Sequence, residues 1–238
     1  MTVEGVEGDA PTVPAPREDG RRRKARRTRE ALAAAALDLV VRDGPEAVTV
    51  AAVADRADVT RRTFSRHFAG KEEAALDFVR DDGSRINTLL RNRPAEEPPL
   101  AAYRRAVAQW LTDVDTPASH HRPEIRALLA RVDTDPGLFA AYQRIRVDAQ
   151  EESVAIVAAR LGVDPAADPR PAVVVDTAAG VLTAALRLWS RRPSRGGHAA
   201  VAELTALVER SYDALVEEAA LASPAGGTPH VPAERATP

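Results

Sequence analysis

Residues 60–67, with the sequence TRRTFSRH, combine side chains of types that can bind duplex DNA with one large apolar residue, Phe64. A guanidinium can form a two-pronged hydrogen bond with O6 and N7 of guanine, and hydroxyl groups can donate to phosphate oxygens. On a short helix with Phe64 facing inward, the polar side chains would face outward. The candidate contacts on or beside that outer face are Thr60, Arg61, Arg62, Thr63, Ser65, Arg66 and His67. This pattern is typical of a helix that enters the major groove.

A second short helix must precede this one to set its angle. Thr49 is placed to cap a helix over residues 50–57, VAAVADRA, and Thr60 is placed to cap the DNA-reading helix. Between them lies a tight connection, where Asp58 can adopt the left-handed backbone conformation. The apolar residues expected to fix the angle between the two helices are Val53, Ala54, Ala57, Val59, Phe64 and Phe68. The arrangement predicts a helix-turn-helix.

Basic residues on both sides of this motif extend the possible contact with DNA. Lys71 stands at the start of the next helix, where it could bind a phosphate. Arg21, Arg22, Arg23 and Lys24 could form a mobile arm that enters the adjacent minor groove, or they could be the solvated start of a helix. Residues 17–80 contain 15 Lys and Arg against 11 Asp and Glu, a net charge of +4 that leaves −6 for the rest of the chain. A basic N-terminal part can therefore approach DNA while the acidic remainder stays away from it.

The stretch TVAAVADRADVTRRTFSRHFAGKEEAALDF resembles the DNA-binding signature of the tetracycline-repressor (TetR) family, over about residues 25–80. The resemblance implies that Thr49, Thr60 and Lys71 contact phosphates. It also implies contacts to bases or backbone from Arg61, Arg62, Thr63 and Arg66. Two departures matter: Asp58 replaces the family's common turn glycine, and Ser65 replaces a frequent tyrosine, so that one phosphate contact should be shorter or absent.

The rest of the chain predicts longer helices separated by prolines and glycines. They are expected over Leu100–Val114, Pro123–Val132, Pro136–Leu161, Arg170–Arg191 and Ala199–Ala222, after a first helix over Arg21–Arg42. The predicted fold is all-α. A three-helix helix-turn-helix domain over residues 21–80 is followed by a larger helical ligand-binding and dimerisation domain over 85–222, with disordered tails at 1–20 and 223–238.

The resemblance implies a pocket among the middle helices and a dimer formed through the last two. Independently, the segment from Val173 to Trp189 has only Asp176 and Arg187 as charges, so it must be buried on several sides or packed against another subunit. A second apolar stripe consists of Val201, Leu204, Leu207, Val208 and Leu215. A homodimer would place two reading helices about 34 Å apart, one turn of DNA.

Large side chains on the middle helices are the candidates for a ligand pocket, although most such residues in a helical domain form core. They are Tyr103, Val107, Trp110, Leu111, Leu128, Phe139, Tyr142, Ile145, Arg146 and Trp189. A mostly apolar lining with tyrosines and an arginine would suit a lipophilic molecule or an organic anion.

Several other classes of protein are disfavoured. His120, His121 and Glu124 could be imagined as metal ligands, but adjacent histidines do not share a helix face as an i, i+4 pair would. No phosphate loop, nucleophile elbow or carboxylate pair suggests catalysis, so we expect neither an enzyme nor a cofactor. The chain has no cysteine, no signal peptide and no uncharged stretch of about 18 residues, which predicts a cytoplasmic protein without a membrane span.

Three functions remain open. A repressor that a small ligand releases from a palindromic operator follows from the resemblance. An architectural or constitutive DNA-binding protein would share the N-terminal domain but would hardly need the following helices. A dimeric binding module without DNA recognition would be expected to lose the arginines of residues 60–67.

Overall fold

The computed structural model describes residues 20–193 and 197–222. Within these two ranges the chain forms helices and no strand, so the all-α prediction is confirmed. A short 3-10 helix covers Ser119–His121. The α-helices are α1 (Gly20–Asp43), α2 (Val50–Arg56), α3 (Arg61–Ser65), α4 (Lys71–Ala75), α5 (Asp77–Arg91), α6 (Pro99–Thr112), α7 (Pro123–Val132), α8 (Pro136–Leu161), α9 (Arg170–Arg191) and α10 (Gly197–Ala222).

Capping residues and prolines explain most of these boundaries. The carboxylate of Asp135 accepts a hydrogen bond from the backbone N–H of Leu138 at 2.8 Å, and Pro136 occupies the first position of α8. Gly162, with φ +64°, ends the same helix in the left-handed conformation that glycine adopts without strain. Helices α7, α8 and α9 therefore begin and end where the sequence predicts.

Helix α5 is continuous from Asp77 to Arg91 and crosses the interval between the two predicted domains. The limits at residues 80 and 85 thus fall inside one helix, and the domain boundaries stay a prediction. The disordered tails predicted over 1–20 and 223–238 lie outside the described residues, except for Gly20, which begins α1.

The first of two apolar cores, here the N-terminal core, joins the helix-turn-helix to α7 and to the first half of α8. Helices α2, α3 and α4 are only seven, five and five residues long, which is too short to persist in water without packing. The buried members of this core on α7 and α8 are Ile125, Leu128, Val132, Leu138, Tyr142 and Ile145. The DNA-reading domain therefore has no separate interior.

The second, C-terminal core lies among α5, α6, α9, α10 and the second half of α8. Trp189 on α9 is 1% exposed, and its indole N–H donates to the backbone oxygen of Ala200 at 2.9 Å. Leu204, Leu207 and Val208 of the predicted α10 stripe are buried in this core. Most of that stripe therefore packs within the chain and is not available to a second subunit.

Helix α9 is long and apolar enough, by length and composition alone, to cross a membrane, contrary to the expectation from the sequence. In the structure it packs against α6, α7, α8 and α10, as a core helix of a bundle does. A third of its most apolar window is buried. Val173 and Leu188 remain 60% and 47% exposed on its outer side.

Arg29 on α1 connects three elements of the N-terminal domain. Its guanidinium donates twice to the carboxylate of Asp77 at the start of α5, with the Nε bond at 3.0 Å, and once to the backbone oxygen of His67 at 2.9 Å. It also lies 4.3 Å from the ring centroid of Phe68. The Asp77 side chain is only 7% exposed, so Arg29 is the partner that compensates for placing a carboxylate at a nearly buried position.

We expect Arg29→Met to lower the free energy of unfolding by about 2 to 3 kcal/mol, because it leaves the Asp77 carboxylate buried and unpaired. The loss should stay below that of a fully buried pair since Arg29 is 30% exposed. Urea unfolding would measure it. Arg42→Met, which removes an exposed pair with Asp43, is the matched control and should leave the free energy of unfolding nearly unchanged. Equal losses in the two variants would contradict the assigned role of Arg29.

Candidate functional site

The helix-turn-helix has the geometry that its sequence predicts. The Oγ1 of Thr49 accepts a hydrogen bond from the N–H of Ala52 at 3.1 Å, and the Oγ1 of Thr60 accepts one from Thr63 at the same distance. Asp58 occupies the left-handed region with φ +53°. The expected inward residues are buried at Val53, Ala54, Phe64 and Phe68 and half-buried at Ala57 and Val59. Helices α2 and α3 are therefore each capped by a threonine and anchored by buried apolar side chains.

The outer face of α3 presents three arginines to solvent. Arg61, Arg62 and Arg66 are exposed, and none of the three has an ion pair or side-chain hydrogen bond within residues 20–193 and 197–222. Thr63 and His67 are half-buried beside them. Burial and the charges of Arg29 and Arg66 lower the pKa of His67. The face is therefore positively charged through its arginines.

The hydroxyl groups of this face are partly engaged within the helices. Capping uses an acceptor lone pair of Thr49, whose O–H can still donate to a phosphate. The hydroxyl oxygens of Thr60 and Thr63 lie 3.0 Å apart, so one hydroxyl donates a hydrogen bond to the other. Ser65 donates to the backbone oxygen of Arg61 at 3.2 Å. The shorter or absent phosphate contact expected at this position stays a prediction.

Lys71 supports the loop that leads into α2. Its ammonium group donates to the backbone oxygens of Pro45 at 2.6 Å and Val48 at 2.7 Å, and lies 3.7 Å from the carboxylate of Glu72. A third N–H of the ammonium is left for the predicted phosphate contact. Lys71 thus positions Thr49, whatever it contributes to DNA directly.

The basic run before the apolar part of α1 is helical. Arg21, Arg22, Arg23 and Lys24 are exposed residues of α1, which begins at Gly20. The structure therefore has a solvated helix start and not an extended arm, and contact of these residues with DNA stays a prediction. Arginine, lysine and alanine favour helix, and no breaker follows Gly20 in this run.

A cavity of about 100 Å³ lies among α5, α6, α7, α8 and α9. Four of the predicted pocket residues line it: Tyr103, Trp110, Tyr142 and Arg146. The other predicted residues lie elsewhere. Phe139 is 39% exposed, and the N- and C-terminal cores hold Val107, Leu111, Leu128, Ile145 and Trp189. None of these side chains lines the cavity.

Helix α5 contributes a wall of the cavity that is absent from the residues predicted from the sequence. Phe78, Val79, Asp82 and Ile86 line the cavity and follow an i, i+1, i+4, i+8 spacing. That spacing is a helical stripe, so a signal was present. It was interrupted by charged residues and by Gly83, and the segment looked like a connection between domains.

Asp82 is the acidic group of the cavity wall. Its carboxylate accepts hydrogen bonds from the indole N–H of Trp110 at 3.0 Å, from the backbone N–H of Ser119 at 3.4 Å and from the Ser119 hydroxyl. Burial raises the pKa of Asp82, although these donors and Arg85 oppose the shift. The carboxyl group thus holds the 3-10 helix against α5.

His120 follows Ser119 and also lines the cavity. The side chain is 3% exposed, and neither ring nitrogen has a hydrogen-bond partner in the described part of the chain. Its ring lies edge-on to Trp110, 5.2 Å between centroids. Burial, with the charges of His121 and Arg85, lowers the pKa of His120 to about 3. Among the described residues, no three His, Cys, Asp or Glu side chains are grouped to hold a metal ion.

We expect His120→Phe to reduce the loss of stability in mild acid. The pKa of His120 is about 3 in the folded state against an ordinary value of 6.5, so the unfolded state binds more protons below pH 6.5 and stability falls as the pH falls. From pH 6.5 to 5 this group should cost about 1.5 kcal/mol. Urea unfolding at each pH would show the variant gaining that amount relative to the unmodified protein.

The exposed neighbour provides the control for this experiment. His121→Phe places the same ring at an exposed position and leaves His120 buried, so the loss of stability in mild acid should remain. If His120→Phe also kept that loss, His120 would not be the buried neutral group that the packing indicates.

Comparison with known proteins identifies the family. Residues 32–75 match the family described as "Bacterial regulatory proteins, tetR family". The HTH-type transcriptional regulator TcmR of Streptomyces glaucescens is 36% identical over 195 residues, which are 80% of this chain and 86% of TcmR. The fatty acid degradation regulator FadR from Bacillus halodurans, 15% identical, has the same fold with a TM-score of 0.50, covering 79% of this chain and 94% of FadR. The chain belongs to the TetR family and is a DNA-binding transcriptional regulator.

Proposed function

We propose that this protein is a repressor that binds a palindromic operator as a homodimer and is released from it by a small molecule. One observation carries the proposal: the helices that bound the cavity also complete the core of the DNA-reading domain. Ile125 and Tyr142 line the cavity and belong to the N-terminal core. A ligand in the cavity would therefore press on the same packing that orients α3.

The exposed apolar side of α9 supports a dimer. Val173, Gly180, Ala184 and Leu188 form an exposed stripe, and a Cβ added at Gly180 would meet no atom within 4 Å. The small residues would let a second helix approach closely, and exposed apolar residues favour association. Val216 and Leu221, 56% and 80% exposed, extend apolar surface onto α10. Regulators of this family act as dimers, which agrees with this surface.

Helix α5 is suited to couple the cavity to the reading domain. Its first residue, Asp77, is bound by Arg29, and the next turns contribute Phe78 and Asp82 to the cavity wall. Asn87 holds α5 to α8 by donating to the backbone oxygen of Ala149 at 3.2 Å. A ligand that separated α5 from α8 would change the distance between the two helix-turn-helix domains of the dimer, here called the reading heads. A preference of a few kcal/mol between two spacings would suffice for release.

The effector expected from the lining is a lipophilic molecule or an organic anion, and the protein should act in the cytoplasm. The main alternative is a constitutive or architectural DNA-binding protein without effector, for which the cavity would be incidental. A metal-dependent enzyme remains a remote alternative. A ligand that lowers operator affinity would exclude the constitutive protein.

We expect strong preference for the protein's own upstream intergenic DNA over a scrambled fragment in a fluorescence-anisotropy titration with a salt series.

Arg61→Ala and Arg62→Ala should each lose about 1 to 3 kcal/mol of operator binding if the arginine reads a guanine. Arg105→Ala, exposed on the distant α6, is the control and should bind as the unmodified protein does. Equal, weak binding of both fragments at all salt concentrations would contradict an operator in this region.

We expect Gly83→Ala to weaken operator binding about fivefold without any ligand. A Cβ at position 83 would lie 2.9 Å from the Cβ of Ala149, so α5 must move away from α8, and such overpacking costs about 1 to 3 kcal/mol. The double variant Gly83→Ala, Ala149→Gly returns the space and should recover most of the affinity. If the double variant bound as weakly as the single one, the α5–α8 contact would not control the reading heads.

A further inference from the structure

The cavity walls are mostly apolar and aromatic. Phe78, Tyr103, Trp110 and Tyr142 come from three different helices, α5, α6 and α8, so aromatic side chains surround the space on several sides. Such walls favour a flat, unsaturated ligand, since ring faces and edges pack well against one another. The apolar and aromatic walls by themselves do not require a polar group on the ligand.

The polar side chains of the cavity wall have partners, with one exception. Ser153 donates to the amide oxygen of Asn87 at 2.6 Å, Gln150 donates to Asp176 at 3.0 Å, and Asp82 accepts from Trp110 and Ser119. Among the described residues that line the cavity, His120 alone has buried polar atoms without a partner. Buried polar groups in proteins are normally hydrogen-bonded, so an unpartnered ring at a cavity indicates a group that a ligand satisfies.

The protonation state of His120 limits what that ligand group can be. A neutral imidazole presents one N–H donor and one acceptor nitrogen, and a hydroxyl group can donate to the acceptor or accept from the donor. It therefore fits whichever tautomer is present. A carboxylate fits less well, because it can only accept and would share the cavity with the carboxyl group of Asp82. Arg146 also lines the cavity, and an anion would have to bind there.

We propose that the effector of this cavity is an uncharged aromatic compound with a hydroxyl group that hydrogen-bonds to His120. The inference rests on the proposed function, in which the cavity holds the effector. Of the two ligand classes expected from the sequence, the lipophilic molecule is retained and the organic anion is excluded. His120 is the residue that discriminates between them.

Three matched probes test this inference by equilibrium dialysis at pH 7.5: 2-naphthol, naphthalene and 2-naphthoate. The unmodified protein should bind 2-naphthol about tenfold more tightly than naphthalene, because only 2-naphthol satisfies the buried ring. Binding of 2-naphthoate should be the weakest. Binding of none of the probes, equal binding of 2-naphthol and naphthalene, or tightest binding of 2-naphthoate would each overturn the inference.

Variants at position 120 locate the effect. His120→Phe keeps a ring of similar size and removes both nitrogens, so the preference for 2-naphthol over naphthalene should fall to within twofold. His121→Phe, at the exposed neighbour, should keep the tenfold preference. An unchanged preference in His120→Phe would overturn the assignment of His120. If that variant failed to fold, the comparison of probes on the unmodified protein would still decide the hydroxyl requirement.

Operator titrations on the same preparations separate this inference from the proposed function. The unmodified protein should prefer the upstream DNA to a scrambled fragment. Intact operator binding without probe selectivity would refute the ligand class and leave the DNA-binding function standing. Probe selectivity without operator binding would refute the proposed regulator and leave the ligand site.

Discussion

The orientation of the DNA-reading helix α3 depends on an apolar core that its own domain shares with α7 and α8. Helices α2 and α3 have seven and five residues, and they persist because Val53, Phe64 and Phe68 are buried in that core, with α2 packed on α1. The same core includes α7 and the first half of α8, which pack against α1 and α4 and belong to the part of the chain that surrounds the cavity. Any ligand that rearranges these helices therefore acts on the support of α3, with no need for a separate signalling element.

The basic residues of the chain divide into two groups by their partners. Arg29, Lys71 and Arg131 donate to a buried carboxylate or to backbone oxygens; Arg131, for example, donates to Val40 of α1 at 2.8 Å. They hold the reading domain together and onto α7. The arginines on the outer face of α3 have no such bonds within the described residues and are available to DNA. Charge alone does not distinguish the two groups, because Arg29 and Lys71 occur in the same basic segment as the arginines of α3.

Burial in the cavity wall disfavours the charged forms of Asp82 and His120, where a ligand would lie. Burial raises the pKa of Asp82 and lowers that of His120, so desolvation favours the neutral form of each group. The consequences differ because Asp82 has donors around it and His120 has no partner. One side chain therefore contributes to the fold, and the other is available for recognition.

The amino-acid sequence by itself determined the helices, their caps and the DNA-reading motif. These depend on signals between neighbouring residues: Thr49 and Thr60 as caps, Asp58 at the turn, and Pro123 or Pro136 at helix starts. The family resemblance follows from the same local pattern.

Only the tertiary structure decided which residues meet across the chain. Arg29 and Asp77 are 48 residues apart, and the sequence contains no sign that they pair. Equally, Tyr142 lines the cavity whereas Phe139, one helical turn away, is exposed. His120, considered from the sequence only as a metal ligand, became a recognition candidate once its burial was known. The physical reason is that burial and long-range pairing depend on how helices pack, which periodicity within one helix does not specify.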